Sequence, residues 1–217
     1  MAPAGQIRKI KANLQALAIL QSLEEAGRLS AADEKRILAQ YTGWGHSPQV
    51  FDEIKAEYWQ SHLDGQYSYG YKQDPNGLKN WAKHFYEFYR ELKTILTPEE
   101  WAAAEASTLN AHYTSREIIE HGLWAIARHL GFTGGRVLEN SAGIGHVIGL
   151  VPQEIASTSQ FTACELDGIT GRMLRMLYPQ ATVHITGFQD AKVSPHSQDL
   201  TIGNFPFNQD GWGGGEQ

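Results

Sequence analysis

Two short segments hold the residue types best suited to chemistry. Glu139-Asn140-Ser141-Ala142-Gly143-Ile144-Gly145-His146 joins an acid to a glycine-rich turn, and Asn204-Phe205-Pro206-Phe207 joins an amide to a proline and aromatic rings. Gly143 and Gly145 let the backbone turn tightly and come close to a ligand. Glu139 ends the apolar run Arg136-Val137-Leu138, and its carboxylate suits an ammonium group. Glu165 ends the next such run, 26 residues on, where acids in nucleotide sites accept hydrogen bonds from ribose hydroxyls. A dinucleotide site prefers Gly-x-Gly-x-x-Gly, but Ile148 stands at the third glycine position. A ligand with both a cationic amine and a ribose therefore fits better than a pyrophosphate, and S-adenosyl-L-methionine has both. The plain alternative is a tight strand-to-helix turn with two solvated acids, and a nicotinamide-dinucleotide site is a further one.

The second segment specifies a partner for that cofactor. The amide oxygen of Asn204 and the carbonyl of Phe205 can both accept hydrogen bonds from one exocyclic amino group. Pro206 stiffens the turn, and Phe207 offers a face on which a base extruded from a duplex can stack. Two acceptors on one amino group draw its lone pair toward tetrahedral geometry. The nitrogen can then attack a sulfonium methyl in line without a covalent enzyme intermediate, orientation supplying most of the rate. An ordinary Asn-x-Pro turn is the alternative.

These segments need a scaffold, and the pattern from Tyr113 onward supplies one. Thr114 to Glu117 reads as a capping box opening a helix with Ile118, Ile119, Leu123, Ile126 and Leu130 inward, closed by Gly131. Strands are expected at Arg136–Glu139, Phe161–Glu165, Ala181–Ile185 and Asp199–Ile202, with a helix from the glycine turn to about Ile155 and another over Ile169–Tyr178. Strands alternating with helices imply a parallel, doubly wound α/β sheet, whose ligands sit at the carboxyl ends of the strands. Both chemical segments fall there.

The first hundred residues read as helices. Ile10, Leu14, Leu17, Leu20 and Leu23 form one stripe, Ser30 caps a second helix, and Gly43 to Pro48 breaks it. Asp74-Pro75-Asn76-Gly77 reads as a turn. Trp81, Phe85, Phe88, Leu92 and Ile95 keep helical spacing, and Thr97-Pro98-Glu99-Glu100 starts another helix. The aromatic residues from Tyr58 to Trp81 are read as core rather than as a base-stacking platform.

Composition narrows the setting. The chain has 217 residues, 41% hydrophobic and 19% charged, with a net charge of −6. That is globular, and it lacks the basic patch that gripping phosphates requires. Cys164 is the single cysteine, which excludes an internal disulfide and fits a reducing cytoplasm. No apolar run is long enough for a membrane span, and the spacing of His112, His121 and His129 does not suit a metal.

The ordered motifs resemble an amino-group, adenine-specific DNA methyltransferase. Asn110-Ala111-His112-Tyr113-Thr114-Ser115 resembles its first cofactor motif, Glu139 to Gly145 its glycine motif, Glu165-Leu166-Asp167 its ribose-binding acid and Asn204 to Phe207 its Asn-Pro-Pro-aromatic motif. More narrowly, Tyr41-Thr42-Gly43-Trp44-Gly45, Pro48 to Asp52 and Ser107 to Thr114 resemble the N-terminal part of the large methylase–helicase fusions of phages, plasmids and conjugative elements. The resemblance implies a helical region over 1–106, then over 107–217 an incomplete Rossmann-like sheet that binds S-adenosyl-L-methionine. It further implies that Tyr113, Thr114, Glu139, Ser141, Gly143, Gly145 and Glu165 hold the cofactor. Asn204 and the Phe205 carbonyl would orient the base, with Pro206 stiffening the turn and Phe207 stacking.

The chain also departs from that pattern. Asn140 replaces a usual proline, Val147 an aromatic residue, and Phe205 the first proline of Asn-Pro-Pro. The family often has an acid before the Phe that follows its third strand. Here Gly187 precedes Phe188, leaving Gln189 or Asp190 to meet the adenine amine. Only ten residues follow Phe207. The expectation is therefore a truncated sheet with an open edge, weak or inactive alone, acting on DNA with other domains or with a polypeptide that completes the sheet. A non-catalytic interaction or antirestriction module with a relic pocket is the alternative.

Overall fold

A computed structural model describes residues 5–65, 75–109 and 113–204. Phe205, Pro206 and Phe207 lie outside them, as do Asn110 to His112 and Tyr67, Tyr69 and Tyr71. The chain divides into two compact units, Met1–Tyr113 and Thr114–Gln217.

The first unit is helical. Its helices are α1 (Gln6–Glu25), α2 (Ala32–Leu38), α3 (Glu53–Leu63), α4 (Pro75–Trp81), α5 (Glu87–Ile95) and α6 (Pro98–Ser107), with a 3₁₀ turn at Pro48–Phe51. The expected stripe of α1 is buried from Ile10 to Leu23. Buried Asn13 donates from Nδ2 to the Gly43 carbonyl (2.6 Å) and accepts from the Thr42 amide (2.8 Å), fixing the turn where Gly43 has φ 64°. Tyr41, Trp44, Phe51, Trp101 and Tyr89 pack edge to face in a chain. Thr97 and Glu100 form the expected capping box.

Three expectations for this unit change. The residue at the start of α2 is Ala31, not Ser30. Glu34 reaches back to the Ala31 amide (2.8 Å) and is itself held by Arg28, so the helix is capped from inside. Pro75-Asn76-Gly77 is not a turn but the first turn of α4, where a proline has no amide to leave unbonded. A π-helical stretch, Ala82–Tyr86, joins α4 to α5 and shifts the inward face by a residue. Tyr86 is consequently buried while Phe85 is only partly so, within a core of Ala56, Leu78, Trp81 and Ala82.

In the second unit, α7 (Arg116–Ile118), a π-helical stretch (Ile119–Trp124) and α8 (Ala125–His129) form one continuous helix, and a short connection leads to β1 (Arg136–Glu139). Then come α9 (His146–Gly149), α10 (Gln153–Ala156), β2 (Gln160–Glu165), α11 (Gly168–Leu177), β3 (Thr182–Ile185), a 3₁₀ turn (Phe188–Asp190) and β4 (Leu200–Thr201). The sheet is parallel throughout, in the order β3-β2-β1-β4. Chain order therefore reverses between β1 and β4, the switch point where open α/β sheets bind ligands.

Side-chain alternation and the register put Val137, Phe161, Ala163, Val183, Leu200 and Ile202 on one face. Ile119, Trp124, Ala127, Val147, Ile148, Ile155 and Leu174 cover that face. The other face, with Leu138, is crossed by the segment from Phe188 to Gln198, so the connection from β3 to β4 contains a 3₁₀ turn rather than a long helix. Buried Cys164 also belongs to that face and packs within the sheet.

The helix before β1 differs from the reading of its sequence. Ser115, not Thr114, is the capping residue, accepting from the Ile118 amide. The π stretch turns the inward face to Ile119, Trp124 and Ala127, leaving Ile118, Ile126 and Leu130 57%, 59% and 78% exposed. The helix expected to run to Ile155 is broken into α9 and α10 around Leu150 to Pro152, because Pro152 has no amide to continue the ladder. No helix among the described residues is long and apolar enough to cross a membrane.

Candidate functional site

The carboxyl ends of β1, β2 and β4 bring the acids, the glycine turn and Asn204 to one end of the sheet. Glu139 is the last residue of β1 and is only 3% exposed. Burial pushes its carboxyl well above the usual range. A backbone hydrogen bond from Ile148, in the first turn of α9, works against this shift, and the neighbouring Glu165 charge adds to it. Glu139 Oε2 has no hydrogen-bond partner among the described residues.

The turn that follows is built by its glycines. Gly143 has φ 54° and Gly145 φ 81°, both left-handed. A Cβ on Gly145 would stand 2.5 Å from Leu174 and 2.6 Å from Tyr178, so helix α11 packs directly on the turn. Ile148 occupies the expected third glycine position, but the close packing that such a glycine permits is supplied one residue later. A Cβ on Gly149 would collide with the Tyr178 hydroxyl. Tyr178 was not foreseen as part of the site. Burial, and then the Glu139 charge, push its hydroxyl up to about 12. Trp124, fully buried, donates from Nε1 to the Val147 carbonyl (2.9 Å) and anchors the start of α9.

Glu165 locks the turn from β2. Its Oε2 accepts from the Gly143 amide (2.6 Å) and its Oε1 from the Asp167 amide (2.9 Å). Burial raises its carboxyl, and these two amides work in the opposite direction. Each carboxylate oxygen keeps a second lone pair, so the orientation that braces the turn leaves acceptors for a ligand's hydroxyls. Asp167 in turn caps α11, accepting from the Thr170 amide (2.7 Å).

At the end of β4, Gly203 packs against β1. A Cβ there would lie 2.9 Å from Asn140 Oδ1 and 4.0 Å from Glu139 Cγ. Asn140 is 4% exposed and its Oδ1 also lacks a partner. Asn204 follows, exposed, its Nδ2 donating to Thr114 Oγ1 at 3.4 Å. Strand β4 is tied at its other end by Asp199. That side chain accepts from the Arg136 amide (2.8 Å) and guanidinium, which holds its carboxyl below the ordinary range.

The candidate residues are thus placed unevenly. Glu139, Gly143, Gly145 and Glu165 form one connected cluster, half-buried Ser141 lies within its turn, and Thr114 meets Asn204. Asp190 is exposed on the 3₁₀ turn after β3. Gln189 folds back over Gly187. Tyr113 is half-buried at the end of the first unit. Phe205, Pro206 and Phe207 fall outside the described residues.

Electrostatically this end of the sheet favours a cation. None of the ion pairs among the described residues involves Glu139 or Glu165. No group of three or more His, Cys, Asp and Glu side chains suited to a metal occurs among those residues.

No protein-family model matches the chain. Over 119 residues, 54% of its length, it is 31% identical to Defense against restriction protein B of Escherichia phage P1. The chain spans only 5% of that protein. Among solved structures it is similar to the methyltransferase subunit of a type I restriction-modification system from Streptococcus thermophilus. That likeness has a TM-score of 0.38 and 14% identity, over 90% of this chain and 44% of the other.

Proposed function

We propose that the chain is the S-adenosyl-L-methionine-binding portion of a DNA methyltransferase acting on the amino group of a flipped adenine. The observation that carries this reading is Glu139. A carboxylate 3% exposed, with one oxygen unpartnered and no cation paired to it, is costly to keep unless a ligand supplies positive charge and donors. It lies beside a glycine turn and at the switch point of a parallel sheet, with Asn204 at the neighbouring strand end.

The residues fit that ligand in kind. Glu139 would hold its ammonium group and Glu165 its ribose hydroxyls, while Gly143 and Gly145 let the backbone approach. Bound S-adenosyl-L-methionine would supply an electrophilic methyl on a sulfonium. Asn204 would accept from the amino group of the base through Oδ1, because its Nδ2 is engaged with Thr114. Pro206 and Phe207 would continue that turn as a stiffener and a stacking face, and Asp190 would meet the adenine amine of the cofactor. The unpaired buried acid disfavours a dinucleotide, whose pyrophosphate would meet it as a like charge.

DNA is the proposed substrate, reached with the help of other domains or of a polypeptide that extends the sheet beyond β4. A net charge of −6 predicts weak phosphate binding by this chain alone. Incubation with unmethylated DNA and methyl-labelled cofactor should give little transfer. Equilibrium dialysis with the same labelled cofactor should give saturable binding, and its absence from folded protein would contradict the proposal.

A second reading is favoured by one finding, the similarity to a phage protein named for defence against restriction. In that reading the chain is a non-catalytic interaction module of a mobile element with a relic pocket. Its mark would be a retained antirestriction effect after Asn204→Ala.

A further inference from the structure

Glu139 Oε2 is not the only unsatisfied atom at the switch point. Asn140 Oδ1 is also buried without a partner, on a side chain 4% exposed. Burying an acceptor without a donor is unfavourable, and two neighbouring cases at a ligand-binding edge call for a common explanation. Both residues border Gly203. The position its Cβ would occupy is 2.9 Å from Asn140 Oδ1 and 4.0 Å from Glu139 Cγ. Any larger residue there would crowd Asn140 Oδ1.

We infer that Asn140 is a second acceptor for the ligand's ammonium group, set beside Glu139, and thereby a determinant of preference for ligands with a free amine. This rests on the proposed cofactor-site reading and extends it to a residue with no counterpart in the resembled motif, where a proline would offer no side-chain acceptor.

The chemistry of the two atoms decides the ligand class. As a carboxylate Glu139 only accepts, as does the Asn140 amide oxygen, so what satisfies the two atoms together must bring N–H or O–H donors. An ammonium brings three donors and a positive charge. A phosphate brings acceptors and negative charge, and would meet Glu139 as a repulsive neighbour. The neutral amide adds an acceptor without adding a second negative charge beside a carboxyl that burial already disfavours. One donor can go to Glu139 and another to Asn140, which fixes the amine in direction as well as in place.

The test is calorimetric titration of the whole chain with two ligands that share the adenosine thioether. S-adenosylhomocysteine carries the ammonium, and methylthioadenosine lacks the entire amino-acid arm. Asn140→Leu, close in volume but without the acceptor, should weaken S-adenosylhomocysteine by about tenfold or more, as expected for one hydrogen bond to a charged group. The affinity for methylthioadenosine should stay within about twofold, since that ligand never makes this bond. Circular dichroism checks folding, and Asn140→Ala serves if leucine is not accommodated. Equal weakening of both ligands, or of neither, overturns the inference. If the folded wild-type chain binds neither ligand, the cofactor-site reading fails and takes this inference with it. Wild-type binding with an indifferent Asn140→Leu defeats the inference alone.

Discussion

Asn204 and Thr114, ninety positions apart in sequence, meet through a hydrogen bond from Asn204 Nδ2 to Thr114 Oγ1 of 3.4 Å. The bond exists because Ser115 caps the following helix and leaves the Thr114 hydroxyl available. It places the nitrogen of the Asn204 amide toward Thr114.

Thr114→Val keeps the shape and removes the acceptor. A long, exposed bond of this kind is worth about 0.5–1 kcal/mol, so the melting temperature should move little. The side-chain amide resonances of Asn204, followed by NMR, should instead collapse toward solvent-exposed values, while Thr114→Ser should keep them dispersed. Unchanged Asn204 resonances in the valine variant would show that the bond does not orient the amide.

Gly145→Ala tests the turn. The residue has φ 81°, and an added Cβ would stand 2.5 Å from Leu174 and 2.6 Å from Tyr178. Strain and overpacking together should cost about 1–3 kcal/mol in chemical denaturation, with loss of cofactor binding. A neutral substitution would mean that α11 is not packed on the turn as described.

Glu139→Gln separates stability from function. Burial raises the folded-state pKa of Glu139 above its unfolded value, so the folded chain binds this proton more tightly. Its contribution to stability is fully present below the ordinary carboxylate range and is lost as pH rises through the raised value. Above that value the glutamine variant should be more stable than wild type by about 1–3 kcal/mol, and the difference should vanish on acidification. Urea denaturation across pH measures this. A variant less stable at every pH would show that the carboxylate is compensated in the free protein.

Much of this was legible in the sequence, for reasons that differ by element. Strands β1 to β4 and helix α11 stand out because buried parallel strands are short apolar runs bounded by turn residues, and Pro179 marks the end of α11; the cap at Asp167 comes from the structure. The helix before β1 is legible in the sequence, but its inward face is not. A π-helical stretch adds a residue to the turn, and nothing in Ile119 to Trp124 announces it, so Ile118, Ile126 and Leu130, expected inward, are exposed. Thr114 alone has a Glu three residues on, yet the neighbouring hydroxyl of Ser115 takes the cap, which the capping-box pattern does not reveal. In the site, Glu139, Glu165 and the glycines could be named from type and spacing alone. Tyr178 could not, because it reaches Gly145 and Gly149 only through the packing of α11, a contact between residues more than twenty-five positions apart. Asn140 was visible as a departure from a motif, but its burial against Gly203 depends on the pairing of β1 with β4.

The proposed cofactor site turns on the buried Glu139 carboxylate at the switch point as the acceptor for the ammonium of S-adenosyl-L-methionine. Isothermal titration of that cofactor into the wild-type chain and into Glu139→Gln tests it most directly. Saturable binding to wild type is expected, with a loss of about tenfold or more in a glutamine variant that is folded. Equal affinity of the two folded proteins, or no binding to the wild type at millimolar cofactor, would contradict it.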